Sequence, residues 1–262
     1  MRNLRKYGKP PYAAAVIHGG PGAPGEMAPI ARELSSDWGI LEPLQTASSV
    51  DGQIQELRNA LAGNGDLPVI LIGWSWGAWL SFIFAAYYPS FVKRLILVGS
   101  GPYKEKYAAE IIKTRLNRLN EEERTELQIL EELLNDPTVK NKNPLFTRLG
   151  ELFNKTDSYD PLDFKTKSIK AQFDIYQSVW GEAVKLRQSG YLLKIGKRIQ
   201  CPVVAIHGDY DPHPYRGVKE PLSRTISDFN FILLKQCGHR PWIEKNAGER
   251  FFEILKEELR RK

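Results

Sequence analysis

Gly73-Trp74-Ser75-Trp76-Gly77 sets a hydroxyl between two glycines, directly after the apolar run at residues 68–72. The segment that follows carries Leu80, Phe82, Ile83 and Phe84 at helical spacing. A strand-to-helix turn tight enough to exclude side chains at its flanks would present the central Ser75 as a nucleophile. A serine that only caps the next helix is the simpler alternative, but a cap calls for neither glycine. A hydroxyl attacks a carbonyl only if a base takes its proton, and a further group must hold that base in one tautomer.

Four histidines are available for the base. His18 and His207 each end an apolar run and precede a glycine, which suits a structural or lining role. His213 lies just past a candidate acid and can edge a binding pocket. His239, in Cys237-Gly238-His239-Arg240, follows the apolar run at 229–234 on a short loop. That places it at the carboxyl edge of a parallel sheet, the edge expected for Ser75, and His239 is the expected general base. The acid should come from His207-Gly208-Asp209-Tyr210-Asp211-Pro212. Pro212 confines Asp211 to extended backbone and so fixes its direction, whereas Asp209 follows a glycine and reads as a turn former. Asp211 is favoured and Asp209 is the alternative.

An oxyanion needs two backbone donors. The N–H of Trp76 is one candidate; the loop His18-Gly19-Gly20-Pro21-Gly22 offers Gly20 first and Gly19 next. Trp74 and Trp76 flank the nucleophile and suit either a pocket wall or core packing. No metal ligand set or cofactor fingerprint is present. Cys201 and Cys237 read as free buried thiols rather than as a disulfide framework.

These residues need a scaffold, and the apolar pattern supplies one. Short runs at 13–17, 39–43, 68–72, 92–98, 202–206 and 229–234 alternate with helical patterns near 26–35 and 51–62, after Ser75, and near 247–259. Such alternation argues for an α/β fold with a mostly parallel sheet of about six strands. Asp51 is the expected cap of the second helix. Between residues 104 and 190 strand signals vanish, and Pro137, Pro144 and Pro161 divide a charge-rich stretch into four or five helices. The expected organisation is a core at 1–103 and 191–262 with a helical cap inserted at 104–190.

At 262 residues with 42% hydrophobic and 26% charged residues, the composition is that of an ordinary globular protein. The net charge of +6 is spread among acidic residues without a basic stripe, so it reads as solvated surface rather than as a nucleic-acid footprint. The basic start Met1-Arg2-Asn3-Leu4-Arg5-Lys6 lacks the apolar run of a secretory leader, and no run suits a membrane span. A cytoplasmic location and a small-molecule or short-peptide substrate are expected, with neither nucleic acid nor membrane as partner.

His18-Gly-Gly-Pro-Gly22 together with Gly73-x-Ser-Trp-Gly77 resembles the proline iminopeptidase branch of the α/β-hydrolase superfamily. The resemblance implies a metal-independent hydrolase with an inserted helical cap and with Ser75, Asp211 and His239 as its triad. It also implies recognition of a free amine by cap carboxylates, for which Glu182, after Trp180-Gly181, is the candidate. Two departures stand out. The family's N-terminal hairpin is not evident before residue 13. The segment Glu42-Pro43-Leu44-Gln45-Thr46-Ala47-Ser48-Ser49 replaces the family's Asp-x-Arg-Gly-x-Gly-x-Ser loop. The expected activity is therefore cleavage of an ester or amide through an acyl-enzyme, aminopeptidase-like in one form. The alternatives are a carboxylesterase, a thioesterase, a C–C hydrolase or, last, a non-catalytic binding protein.

Overall fold

Near-continuous apolar runs form the middle strands of a sheet covered on both faces, because helices on each side leave no face for water. The computed structural model describes residues 3–163 and 171–261; the remainder of the basic N-terminal stretch and of the expected insert lies outside the described residues. The first half of the chain runs β1 (Leu4–Tyr7), β2 (Ala14–Ile17), α1 (Ala28–Leu34), β3 (Ile40–Pro43), α2 (Val50–Asn64), β4 (Val69–Trp74), α3 (Trp76–Tyr87) and β5 (Val92–Val98). Helices α4 (Ala108–Arg118), α5 (Glu121–Asn135), α6 (Asn143–Asp157), α7 (Phe173–Gln188) and α8 (Tyr191–Gly196) follow. The chain then returns to the sheet with β6 (Val203–Gly208), α9 (Arg216–Ser223), β7 (Phe229–Leu234) and α10 (Gly248–Arg260).

The sheet has seven strands in the order β1-β3-β2-β4-β5-β6-β7, one more than the apolar pattern suggested. The additional strand is β1, Leu-Arg-Lys-Tyr, the one antiparallel member, paired to β3. It carries no apolar run because it is an edge, where charged side chains discourage further strand pairing. Its anchor is the buried Glu42 of β3, which accepts a hydrogen bond from the Tyr7 hydroxyl at 2.7 Å and pairs with Arg5 at 3.4 Å.

Sheet residues alternate between two cores, as the period of two requires. Ala15, Ile17, Leu71, Leu95, Leu97 and Ala205 face α2, α3 and α8. Ala14, Val16, Ile70, Ile72, Ile96, Val98 and Ile206 face α1 and α10. The segment between β5 and β6 builds a third cluster from Leu127, Leu130, Leu134, Leu149, Leu152 and Phe173. Helix α5 opens with a capping box between Asn120 and Glu123, while Pro144 sits in the first turn of α6. Helix α2 is capped by Ser49, which accepts from Gly52 N, and not by Asp51, which occupies its first turn. Among the described residues no helix is long and apolar enough to cross a membrane.

Strand β3 lies on one side of β2 and β4 on the other, so the chain reverses its direction of winding there. The loops leaving β2 and β4 meet there at the carboxyl edge of the sheet, the place where open α/β sheets bind ligands. The loop after β2 is His18-Gly19-Gly20, and the loop after β4 is Ser75.

Candidate active site

Ser75 occupies the single residue between β4 and α3 at φ 55° and ψ −114°, a positive-φ conformation that side chains avoid. Holding it costs on the order of 1–3 kcal/mol, a strain typical of functional positions. Both glycines of the pentapeptide are required by contact. A Cβ on Gly73 would strike the Gly77 carbonyl, and one on Gly77 would strike the carbonyls of Ile17 and His18. The turn is tied down by Ser75 N donating to Val98 O at 2.9 Å.

His239 follows β7 on a turn whose Gln236 also has positive φ. Its Nδ1 lies 2.7 Å from Asp211 Oδ2. The backbone of β5 closes in here: Gly99 has so little room that a Cβ would lie 2.9 Å from His239 O and 3.0 Å from its Nδ1. Trp74, the neighbour of Ser75, donates its Nε1–H to His239 O at 2.9 Å, and its ring packs 5.3 Å from the imidazole. These contacts join the ends of β4, β5 and β7 around one histidine. The Ser75 hydroxyl itself makes no hydrogen bond to the described residues.

Asp211 is enclosed by three histidines. Its Oδ1 accepts from His213 N at 2.9 Å and from His213 Nδ1 at 2.8 Å, while His207 Nε2 lies 3.3 Å from Oδ2. Burial alone would raise this carboxyl, but the histidines, His239 foremost, hold it well below the usual carboxylate range. An ionised carboxylate and a carbonyl can only accept, so they dictate where each ring carries its proton. His213 and His239 hold theirs on Nδ1 against Asp211. His207 holds its own on Nε2 against His213 O, 2.8 Å away. His18 holds its proton on Nδ1 against Gly19 O, and its Nε2 accepts from Gln45 N. Burial keeps His18 and His213 neutral, with values pushed down to about 4, and lowers His207 as well.

Asp209 stands apart from this cluster. Its carboxylate reaches Cys237 N at 3.3 Å and the exposed Lys235 at 3.6 Å, as befits a turn residue. His18 and His207 are buried and serve the framework. The loop between β2 and α1 turns at Gly20, whose φ is +31° and whose carbonyl accepts from Ala23 N. A Cβ on Gly19 would collide with the Trp74 ring. The amides of Gly19, Gly20 and Trp76 donate to no described group.

Helices α4 to α7 line an open cavity of about 480 Å³, within the range of small-molecule sites. Ile111, Leu134, Leu149, Phe153, Phe173 and Tyr176 form much of its apolar wall. Trp180, also on this wall, stacks on Trp79 at 5.7 Å and on Tyr176 at 6.2 Å. His213 lines the same cavity and stacks on His239 with ring centroids 4.4 Å apart. His213 is thus the residue that links this cavity to His239.

Of the substrate-binding candidates, His213 is the one that borders this cavity. Trp74 packs between Gly19, His239 and Trp242, and Trp76 is buried with Nε1 donating to Gln53. Neither lines the cavity; its aromatic wall comes from α6 and α7. Glu182 faces outward and accepts from Val50 N at 2.8 Å, latching α7 to the first turn of α2. Glu182→Ala should thus cost about 0.5–2 kcal/mol in urea unfolding and leave KM unchanged. A rise in KM without loss of stability would restore a substrate role.

Sequence reasoning also missed two supports of His239. Glu244, buried, accepts from Gly238 N, Tyr159 N and Asp160 N, binding the segment that follows α6 to the histidine loop. Asp157 O accepts His239 N at 2.7 Å, while its carboxylate takes a bidentate pair from Arg115 on the cavity wall. Nothing in the local sequence marks either one, because both act across distant segments.

The α/β hydrolase fold family matches residues 42–245. No curated protein matches the chain. Among solved structures, VinJ is similar at 19% identity and a TM-score of 0.72, covering 98% of this chain and 93% of that one. A monoacylglycerol lipase of Paleococcus ferrophilus is similar at 16% identity and 0.62, covering 98% and 97%. Proline iminopeptidase of Mycobacterium smegmatis is similar at 16% identity and 0.62, covering 98% and 93%. At such identities the likeness carries the fold alone. A family match over most of the chain, on a sheet ordered β1-β3-β2-β4-β5-β6-β7, shows that this chain belongs to the α/β hydrolase fold family.

Proposed function

We propose that the chain is a serine hydrolase that cleaves an ester or amide of a small molecule or short peptide through an acyl-enzyme at Ser75. The observation that carries this reading is the meeting of a strained serine and an Asp211-anchored histidine at one sheet edge. Since Asp211 holds the Nδ1 proton of His239, Nε2 carries the lone pair that removes the proton of Ser75 Oγ. The alkoxide forms a bond to the substrate carbonyl, and the negative charge moves to the carbonyl oxygen. The amides of Trp76, Gly20 and Gly19 are the donors for that charge. Collapse expels the leaving group, which takes the proton from His239. Water then repeats the sequence on the acyl-enzyme. The Ser75–His239 hydrogen bond forms as substrate closes the site, since such bonds tighten in the reactive complex.

The apolar and aromatic cavity favours a substrate with a bulky apolar group. The names of the similar structures, a lipase and an iminopeptidase, span esters and amides; with Glu182 turned to α2, the ester reading gains over the aminopeptidase one. A fluorophosphonate probe should add to Ser75 stoichiometrically, read by peptide mass. A panel of short 4-nitrophenyl esters against aminoacyl 4-nitroanilides, proline included, should favour the esters. Absence of labelling at Ser75 would remove the reading.

A further inference from the structure

His213 is not needed for the reaction just described, yet two hydrogen bonds and a stacked ring hold it in place. Its main-chain N and its Nδ1 both donate to Asp211 Oδ1, and its ring lies flat against His239. With one proton, held on Nδ1, the ring presents an unprotonated Nε2, an acceptor of fixed direction. The ring is buried and borders the cavity. Of the other polar groups there, the Tyr176 hydroxyl can both donate and accept. Arg115 and Arg187 only donate and are paired with Asp157 and Glu105, while Glu131, Asn135 and Gln177 are exposed.

The geometry points to His213 Nε2 as a specificity-determining acceptor for an O–H or N–H group on the substrate's acyl part, close to the scissile carbonyl. This rests on the hydrolase reading above. His239 Nε2 serves the reacting atoms, and His213 is stacked 4.4 Å away. A donor on carbon 2 or carbon 3 of an acyl chain, with a hydrogen bond of about 2.9 Å, spans that offset. A substrate lacking the donor leaves a buried acceptor without partner once water is expelled, which is how a site discriminates by more than shape.

The test compares 4-nitrophenyl esters of butyric, 2-hydroxybutyric and 3-hydroxybutyric acid, with each kcat/KM divided by the ester's hydroxide-catalysed rate. The wild-type protein should favour at least one hydroxy ester by about 10- to 100-fold. In His213→Phe that ratio should fall to near one, and in His213→Gln, whose carbonyl still accepts, it should survive in large part. The ratio is internal to each preparation, so a variant that folds less well still reports. A wild-type ratio near one, or an unchanged ratio in His213→Phe, overturns the proposal. If fluorophosphonate labels Ser75 while the ratio is near one, only His213 is reassigned; if Ser75 is not labelled, the hydrolase reading itself fails.

Discussion

Ser75→Ala should lower kcat by at least about 10⁴-fold while the protein remains folded. Without the hydroxyl no acyl-enzyme forms, and what remains is the contribution of the amides at Trp76, Gly20 and Gly19. That residue of catalysis is on the order of 10³-fold over water where such donors persist. Alanine at φ 55° is as strained as serine, so unfolding by urea should be nearly unchanged. Ser75→Gly removes the same hydroxyl but is at ease at positive φ, and should stabilise by about 1 kcal/mol. The two variants together separate chemistry from strain: both inactive, only one more stable. If Ser75→Ala kept full turnover, the nucleophile would lie elsewhere; if Ser75→Gly were not the more stable, the turn would not be strained.

Much of this site was legible because its parts are local. A glycine pair around a serine, and a glycine-rich loop after an apolar run, are short-range signals, and the parallel strands behind them read clearly from their apolar runs. What could not be read depends on partners far apart in the chain. β1 is four residues with two exposed charges, and it becomes a strand only because β3 offers an edge and Glu42 a partner. Glu182 sits beside aromatic residues in sequence but turns to Val50, 132 positions away. Trp74 and Trp76 flank Ser75, yet the alternation of sheet and helix sends both into the cores. Conversely, Glu244 and Asp157 look like ordinary acidic residues until the end of α6 and the segment after it pack against the His239 loop. The three-histidine setting of Asp211 is of this kind too, since His207, His213 and His239 come from two separate segments.

That setting makes Asp211→Asn more damaging than the loss of one charge suggests. Aspartate offers two acceptor oxygens, one engaged by His213 N and Nδ1 and the other by His239 Nδ1. Asparagine has the same shape with one acceptor and one NH₂ donor. If its oxygen faces the two donors of His213, its NH₂ faces His239 and drives the ring to carry its proton on Nε2. A histidine in that tautomer cannot take the proton of Ser75. Turned the other way, the amide sets its NH₂ against two donors of a buried residue, an arrangement costing a few kcal/mol. The first orientation is therefore favoured, and kcat should fall by about 10³- to 10⁴-fold with little change in KM. Asp209→Asn meets no such conflict, because its one backbone partner, Cys237 N, can donate equally well to an amide oxygen. Its pairing with exposed Lys235 contributes little, so kcat should stay within about threefold of wild type. Kinetics of both variants on one 4-nitrophenyl ester decide the matter. Equal losses, or a larger loss in Asp209→Asn, would move the orienting acid away from Asp211.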